Sequence, residues 1–308
     1  MGSRWFRAFQ WLAGLAIVVF AARSLARNWE ELRSQPLEWS VRPGWLLLSA
    51  VVVWLMYAVL IVAWRVMLAA WGQRLGGWEA ARIWTVSSLG KYLPGKVWAI
   101  AGMAVMSQRA GVAPWAATGS AVVLQVLAIG TGAALAGLTG AGALEAAHPG
   151  ARAALALMVA GAVIGVGLLL WPPLLRQLLR FAAPGSVADR APSVRGIVFG
   201  ILANLLAWVG YGTALWLLAR GLLPGVRLAW LPAIAVFAAS YLAGFLALFA
   251  PGGIGVREGL FILMLQQPLG IGAATALALA SRLLLTITEL GAAVPFLAFF
   301  RERVRVAP

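Results

Sequence analysis

Residues Ala250-Pro251-Gly252-Gly253-Ile254-Gly255-Val256-Arg257-Glu258-Gly259 set helix breakers, an arginine and a glutamate between two strongly apolar runs. Apolar runs of this kind lie within a membrane, where every backbone N–H and C=O needs a partner. An interrupted helix survives there only when it is buried in protein or lines a wet cavity. The interruption is therefore a constraint on the fold and a candidate site at once. A second break stands upstream at Lys91-Tyr92-Leu93-Pro94-Gly95-Lys96-Val97-Trp98, again with charge beside a Pro-Gly pair. Paired breaks in the two halves of a membrane protein point to a binding site near the bilayer midplane.

Composition narrows the class. Of 308 residues, 63% are hydrophobic and 11% charged, whereas soluble domains carry about 25% charged residues. The formal net charge of +15 comes from arginines clustered in short loops between apolar runs. There they set orientation and meet anionic headgroups, so nucleic acid is not an expected partner. The chain has no cysteine and one histidine, His148, beside Pro149 in a turn, so disulfides, thiolate chemistry and a zinc cluster are not expected. Its only aspartate, Asp189, lies in a polar loop, which leaves nothing to pair around a divalent metal. No nucleotide-binding loop is visible, and no cofactor is expected.

In chain order, residues 1–43 hold an apolar run at 8–22 behind Arg4 and Arg7, read as a retained first span with a cytoplasmic N-terminus, and an external segment of mixed charge at 28–42. Residues 44–139 form a first repeat, with spans at 44–71 and 114–138 around a hairpin at 79–108 that breaks at Pro94-Gly95. Each hairpin arm of about a dozen residues reaches about 18 Å, roughly half the hydrocarbon core. Residues 151–195 hold a span at 152–171, an interfacial helix at 174–181 and a basic cytoplasmic loop with Arg176, Arg180, Arg190 and Arg195. Residues 196–300 form a second repeat, with spans at 196–218 and 272–300 around a hairpin at 228–268. Positive-inside bookkeeping places both termini in the cytoplasm, the first hairpin entering from the cytoplasm and the second from outside. The expected fold is an all-α integral protein of a bacterial-type cytoplasmic membrane, with about six spans and two opposed re-entrant hairpins in an inverted repeat. The arm at 228–249 is also long enough to span alone, which would move the C-terminal arginines outside.

Lys91 and Lys96 are the only lysines in the chain. They suit a phosphate as compact, flexible charges, and a half-helix starting near Gly95 adds free N–H groups; their other reading is snorkelling to headgroups. Gly252, Gly253 and Gly255 permit positive φ and a nest of N–H groups for an anionic oxygen, or serve only tight packing. Arg257 and Glu258 are adjacent, hence about 100° apart on a helix, and need separate partners. Arg282 and Glu289, on one face of the last span, are the candidates. The expected network has Glu258 or Glu289 neutralising Arg257 and Arg282 and leaves net positive charge for a phosphate. An ion-pair clip that only fixes the hairpin is the competing account. Tyr92, Trp98 and Tyr241 stand near the breaks, where they line a headgroup cavity or anchor the interface. Asn204 and Gln125 are mid-span amides of the kind that join helices.

The stretch Leu89 to Trp98, the following Arg109-Ala110-Gly111-Val112 and the stretch Pro251 to Gly259 resemble the paired signatures of the lysylphosphatidylglycerol synthase transmembrane-domain family, also described as flippase-like. The resemblance runs through nearly the whole chain. It implies a membrane portion that, in fused members, is associated with moving aminoacylated phosphatidylglycerol between leaflets, while a cytosolic acyltransferase-like domain makes that lipid. No such domain is visible here, so the synthase activity is not expected. Stand-alone relatives are linked to phospholipids, hopanoid-type lipids or polyprenyl-linked sugars. The residues the resemblance implies are Lys91, Pro94, Gly95, Lys96, Arg109, Gly253, Gly255, Arg257 and Glu258. The expected function is a flippase for an anionic phospholipid or lipid-linked headgroup. The rivals are a glycosyl- or lipid-transferase using Glu258 or Glu289 as base, and a lipid-binding scaffold subunit of a synthase. Expected partners are the lipid substrate and the bilayer, with a homo-oligomer or a separate lipid-synthesising enzyme as the protein partner.

Overall fold

The computed structural model describes residues 40–92, 98–147, 194–247 and 250–304, with isolated positions between 160 and 177. Every regular element among them is helical. Four belong to the first half: α1 (Pro43–Ala70), α2 (Gly77–Ser88), α3 (Trp98–Arg109) and α4 (Pro114–Ala147), with a 3₁₀ turn at Leu89–Tyr92. Four belong to the second: α5 (Val194–Leu222), α6 (Trp230–Leu246), α7 (Val256–Leu269) and α8 (Ile271–Val304), with a 3₁₀ turn at Pro251–Gly253. Each half therefore reads long, short, short, long.

Four stretches are long and apolar enough to cross a membrane: Pro43–Ala70, Pro114–Gly140, Val194–Leu222 and Ile271–Leu297. The spans expected at 8–22 and 152–171, nearly all of the segment at 28–42, the helix at 174–181 and the basic loop lie outside the described residues, save isolated positions. The arm expected at 228–249 is shorter as a helix than its residue count suggests. α6 has 17 residues, a rise of about 25 Å against a hydrocarbon core of about 30 Å.

α1 and α5 pack along their lengths in opposite directions. The Arg42 N–H donates to Gly221 O (3.0 Å), the Ser49 hydroxyl donates to Ala214 O (2.7 Å), and Gly200 lies against Met67. As numbers rise on α1 they fall on α5. A Cβ at position 210 would stand 2.2 Å from the Met56 sulfur, so glycine leaves room for the Met56 side chain between the two helices.

The contacts between helices respect an exchange of the halves. α4 packs on α6 as α8 packs on α2, α3 on α4 as α7 on α8, and α2 on α3 as α6 on α7, while α1 meets α5 and the two 3₁₀ turns meet each other. Because α1 and α5 are antiparallel, this exchange turns the bundle end over end. The first pair of short helices folds back on itself: the Ala113 N–H donates to Gln73 Oε1 (3.1 Å), and the rings of Trp71 and Trp115 are 6.1 Å apart. At its tip, a Cβ on Gly90 would fall 2.5 Å from the Ala99 nitrogen. Arg65 donates from Nε to Leu75 O (3.0 Å), which ties the loop after α1.

The faces of α8 separate cleanly. Leu279, Leu283, Ile287, Leu290, Val294 and Leu297 form an exposed stripe, while Leu277, Ala278, Ser281, Leu285, Thr288 and Glu289 are buried. An apolar stripe at helical spacing on an outer face is matched to lipid.

Candidate functional site

The two breaks meet beside the middle of α8. Three left-handed glycines shape the second one, Gly252, Gly253 and Gly255, with φ of 58°, 70° and 84°. A Cβ on Gly253 would lie 2.7 Å from the Cα of Gly244, so the turn and α6 are in backbone contact. Glu258 stands in the first turn of α7 and accepts the Gly255 N–H through Oε2 (2.7 Å), a cap that satisfies one of the orphan donors of the helix start. The N–H of Gly255, one of those expected to face a ligand anion, is thus given to the chain's own carboxylate.

Adjacent residues on α7 and α8 pair in register. Glu258 Oε1 accepts from Arg282 Nη1 (2.6 Å), and Arg282 Nη2 donates to Gly252 O (3.3 Å). One position earlier on both helices, Arg257 Nη2 donates to the Ser281 hydroxyl (2.9 Å). The Arg257 guanidinium stands 5.3 Å from the ring centre of Phe237 and 5.6 Å from that of Tyr241. Phe237 in turn stacks between Tyr211 and Tyr241. Arg257 is only 7% exposed.

The first break is tied to the same helix. Lys91 Nζ forms a short ion pair with Glu289 Oε1, and the Tyr92 hydroxyl donates to Glu289 Oε2 (2.6 Å). The expected network therefore forms only in part. Glu258 neutralises Arg282, Glu289 is taken by Lys91 and Tyr92 from the other half, and Arg257 receives neither. The physical reason is the divergence of neighbouring side chains on a helix by about 100°, which keeps Arg257 and Glu258 from facing the same partner. Among the described residues, three cations face two carboxylates here, and Arg257 is the cation with no ion-pair partner.

These groups line a cavity of about 670 Å³. Lys91, Tyr92, Gly252, Gly253, Arg257, Arg282 and Glu289 are on its wall, while Gly255 and Glu258 act from behind, through Arg282. Trp98 and Arg109 are not on the wall. Trp98 is 52% exposed at the start of α3, and Arg109 is exposed at its far end. Pro94, Gly95 and Lys96 lie outside the described residues. Tyr57, Tyr211, Trp208 and Thr286 join the wall unforeseen, as do Gln125 and Asn204, which were expected only to join helices. Asn204 instead donates to Gly200 O within its own helix (2.8 Å). One signal was available: the chain has 4 tyrosines against 16 tryptophans and 12 phenylalanines, and Tyr57, Tyr92, Tyr211 and Tyr241 all line this cavity. The rest of the wall is mainly apolar, with Leu60, Ile100, Met103, Val122 and Val126, and carries the hydroxyls of Thr85, Ser87 and Ser88.

No curated protein matches the chain. Residues 10–289 match the family described as lysylphosphatidylglycerol synthase TM region, an interval that contains both breaks together with Arg282 and Glu289. By that match over most of its length, this chain belongs to the lysylphosphatidylglycerol synthase TM region family.

Proposed function

We propose that the protein is a lipid flippase of a bacterial-type cytoplasmic membrane, moving an anionic phospholipid or lipid-linked headgroup between leaflets through the central cavity. Arg257 carries this reading. A guanidinium buried against a hydroxyl and two aromatic rings, with both nearby carboxylates spent on other cations, leaves the site one charge positive among the described residues. A phosphate matches it in charge and can accept two N–H groups side by side. The apolar remainder of the wall suits the non-polar part of a lipid, which a small soluble anion would leave unfilled.

The two folded-back helix pairs are read as re-entrant hairpins that approach the cavity from opposite faces of the membrane, in an inverted repeat with about six spans. Rocking one repeat against the other then exposes the site to each leaflet in turn. Net movement needs differential binding or a gradient. Both carboxylates are engaged, so neither is poised as the general base a transferase would require.

The test is leaflet exposure in liposomes that contain only this protein, with headgroup-labelled phosphatidylglycerol, phosphatidylethanolamine and a polyprenyl phosphosugar. Protein-dependent movement of one class, lost in Arg257→Ala and Lys96→Ala, is expected. Folded protein that moves none of them would refute the flippase reading for these lipids and favour a scaffold subunit.

A further inference from the structure

A second cationic pocket lies at one end of α1, α5 and α6. Arg42 immediately precedes α1, Arg220 is in the last turn of α5, and Arg227 is three residues ahead of α6. Together with Trp45, Val226 and Leu228 they line a pocket of about 440 Å³ that shares no wall residue with the central cavity. The pocket is built on fixed backbone: Ser40 and Arg42 donate their N–H groups to Leu222 O (3.1 Å) and Gly221 O (3.0 Å). The Arg220 guanidinium is 3.9 Å from the ring centre of Trp216, and Trp45 meets Trp216 edge-on at 6.4 Å.

The charge balance here is one-sided. Among the described residues, none of the three arginines has a carboxylate within ion-pair distance. Arg220 is accounted for by the negative end of α5, but Arg42 and Arg227 stand at the starts of helices, where the dipole disfavours a cation. Neither α1 nor α6 has a side-chain cap at its start, although at α1 Pro43 lacks an N–H and the Arg42 N–H is given to Gly221 O. The three arginines are exposed, and gathered around one pocket they make a local positive field that attracts an anion.

Depth identifies the kind of anion. Arg42 precedes Tyr57 of the central cavity by fifteen residues of sequence, a rise of about 22 Å. Half the hydrocarbon thickness is about 15 Å, so with the central cavity near the midplane the arginines reach headgroup level, where indoles such as Trp45 and Trp216 also sit.

We propose that this pocket binds a phosphate group at the membrane surface where α1 begins, as a site separate from the central one. Lipid headgroups and free phosphate share this chemistry, and the apolar Val226 and Leu228 beside the arginines favour the lipid.

The test uses the full chain in neutral detergent, in wild-type and Arg257→Ala backgrounds, with the thermal midpoint followed against dihexanoyl-phosphatidylglycerol, dihexanoylglycerol and inorganic phosphate. The phosphatidylglycerol should give a saturable rise that dihexanoylglycerol does not. In the Arg257→Ala background, where the central site is disabled, half-saturation should move up by about tenfold or more in Arg42→Gln/Arg227→Gln, from the loss of charge-assisted bonds. Arg42→Lys/Arg227→Lys, which keeps the charge, should fall in between and guards against misfolding of the Gln pair. Arg74→Gln, in the α1–α2 connection, should behave as wild type. A rise with inorganic phosphate of the same arginine dependence would name free phosphate as the ligand; its absence would name the lipid. An unchanged half-saturation when the Gln pair is added to Arg257→Ala, or an equal loss in Arg74→Gln, would overturn the proposal. So would a response abolished by Arg257→Ala alone, since all binding would then lie in the central cavity. If instead Arg257→Ala changes nothing and the Gln pair removes the response, it is the central site that fails.

Discussion

The pairing of Arg282 with Glu258 can be separated from any role of Arg282 in binding by removing both charges. The contact is 2.6 Å, between side chains 21% and 14% exposed. At an effective dielectric of about 20 two opposite charges with centres about 4 Å apart attract by about 4 kcal/mol, and breaking a buried pair from one side costs about 3–5 kcal/mol. Because both side chains retain some exposure beside a cavity, screening brings the expected loss for Glu258→Gln to about 2–3 kcal/mol. Glutamine keeps an oxygen for the Gly255 N–H, so the change isolates the charge. Arg282→Gln should cost a similar amount. The double variant leaves no unpaired charge and should return to within about 1 kcal/mol of wild type. Equilibrium unfolding in mixed micelles measures the stability, and leaflet exposure in liposomes measures transport. All three variants should move lipid slowly, the stable double variant included. If the double variant recovers transport along with stability, the pair is a structural clip and Arg282 binds nothing.

Three further outcomes can be measured with the same assays. Arg257→Lys keeps the charge but loses the flat face against Phe237 and Tyr241 and the directed bond to Ser281; lipid movement should fall by about tenfold or more, and a wild-type rate would show that only charge matters there. Gly253→Ala must accept φ of 70° and a contact of 2.7 Å with Gly244, and should lose about 3 kcal/mol in unfolding. Its control, Gly259→Ala, lies in α7 and meets nothing within 4 Å, and should gain about 0.5–1 kcal/mol from helix propensity. Tyr92→Phe removes the bond to Glu289 (2.6 Å) and should destabilise by about 1.5–3 kcal/mol, the range for a hydrogen bond to a charged group.

Helix breakers and charges inside apolar sequence made both breaks legible, and hydropathy made the four long helices legible. The partners of Arg257 and Lys91 were not. Ser281 is an ordinary small residue in an apolar span, and Lys91 reaches Glu289 across 198 positions, with no local pattern to announce it. Nearness to a break in sequence also misled. Trp98 begins α3 and is half exposed, because a helix carries successive side chains around its axis and only some of them toward the cavity. The same rotation sends Arg257 and Glu258 to different partners, which spacing did foretell.

The end-over-end exchange of the halves is a property of the backbone and does not extend to charge. Arg282 is the twelfth residue of α8, and the twelfth residue of α4 is Gln125; Arg257 and Glu258 are second and third in α7, where α3 has Ala99 and Ile100. Ala99, Ile100 and Gln125 line the same cavity as Arg257 and Arg282. Two similar scaffolds therefore enclose one space with a charged wall from α7 and α8 and an uncharged, mainly apolar wall from α3 and α4, on which Gln125 is the polar group. A small soluble anion needs only the first wall, whereas a lipid needs both. The outer ends of the apolar wall are open to the surroundings, with Ile100, Val105 and Val122 each about half exposed. Ile100→Gln leaves every charged group in place and makes the apolar wall polar. It should slow the movement of a full-length lipid by several-fold, the effect of about 1 kcal/mol lost on apolar burial, while leaving inhibition by a water-soluble headgroup such as glycerol phosphate unchanged. Equal weakening of both, with folded protein, would mean that the apolar wall does not contact the lipid and that the cavity binds headgroups alone.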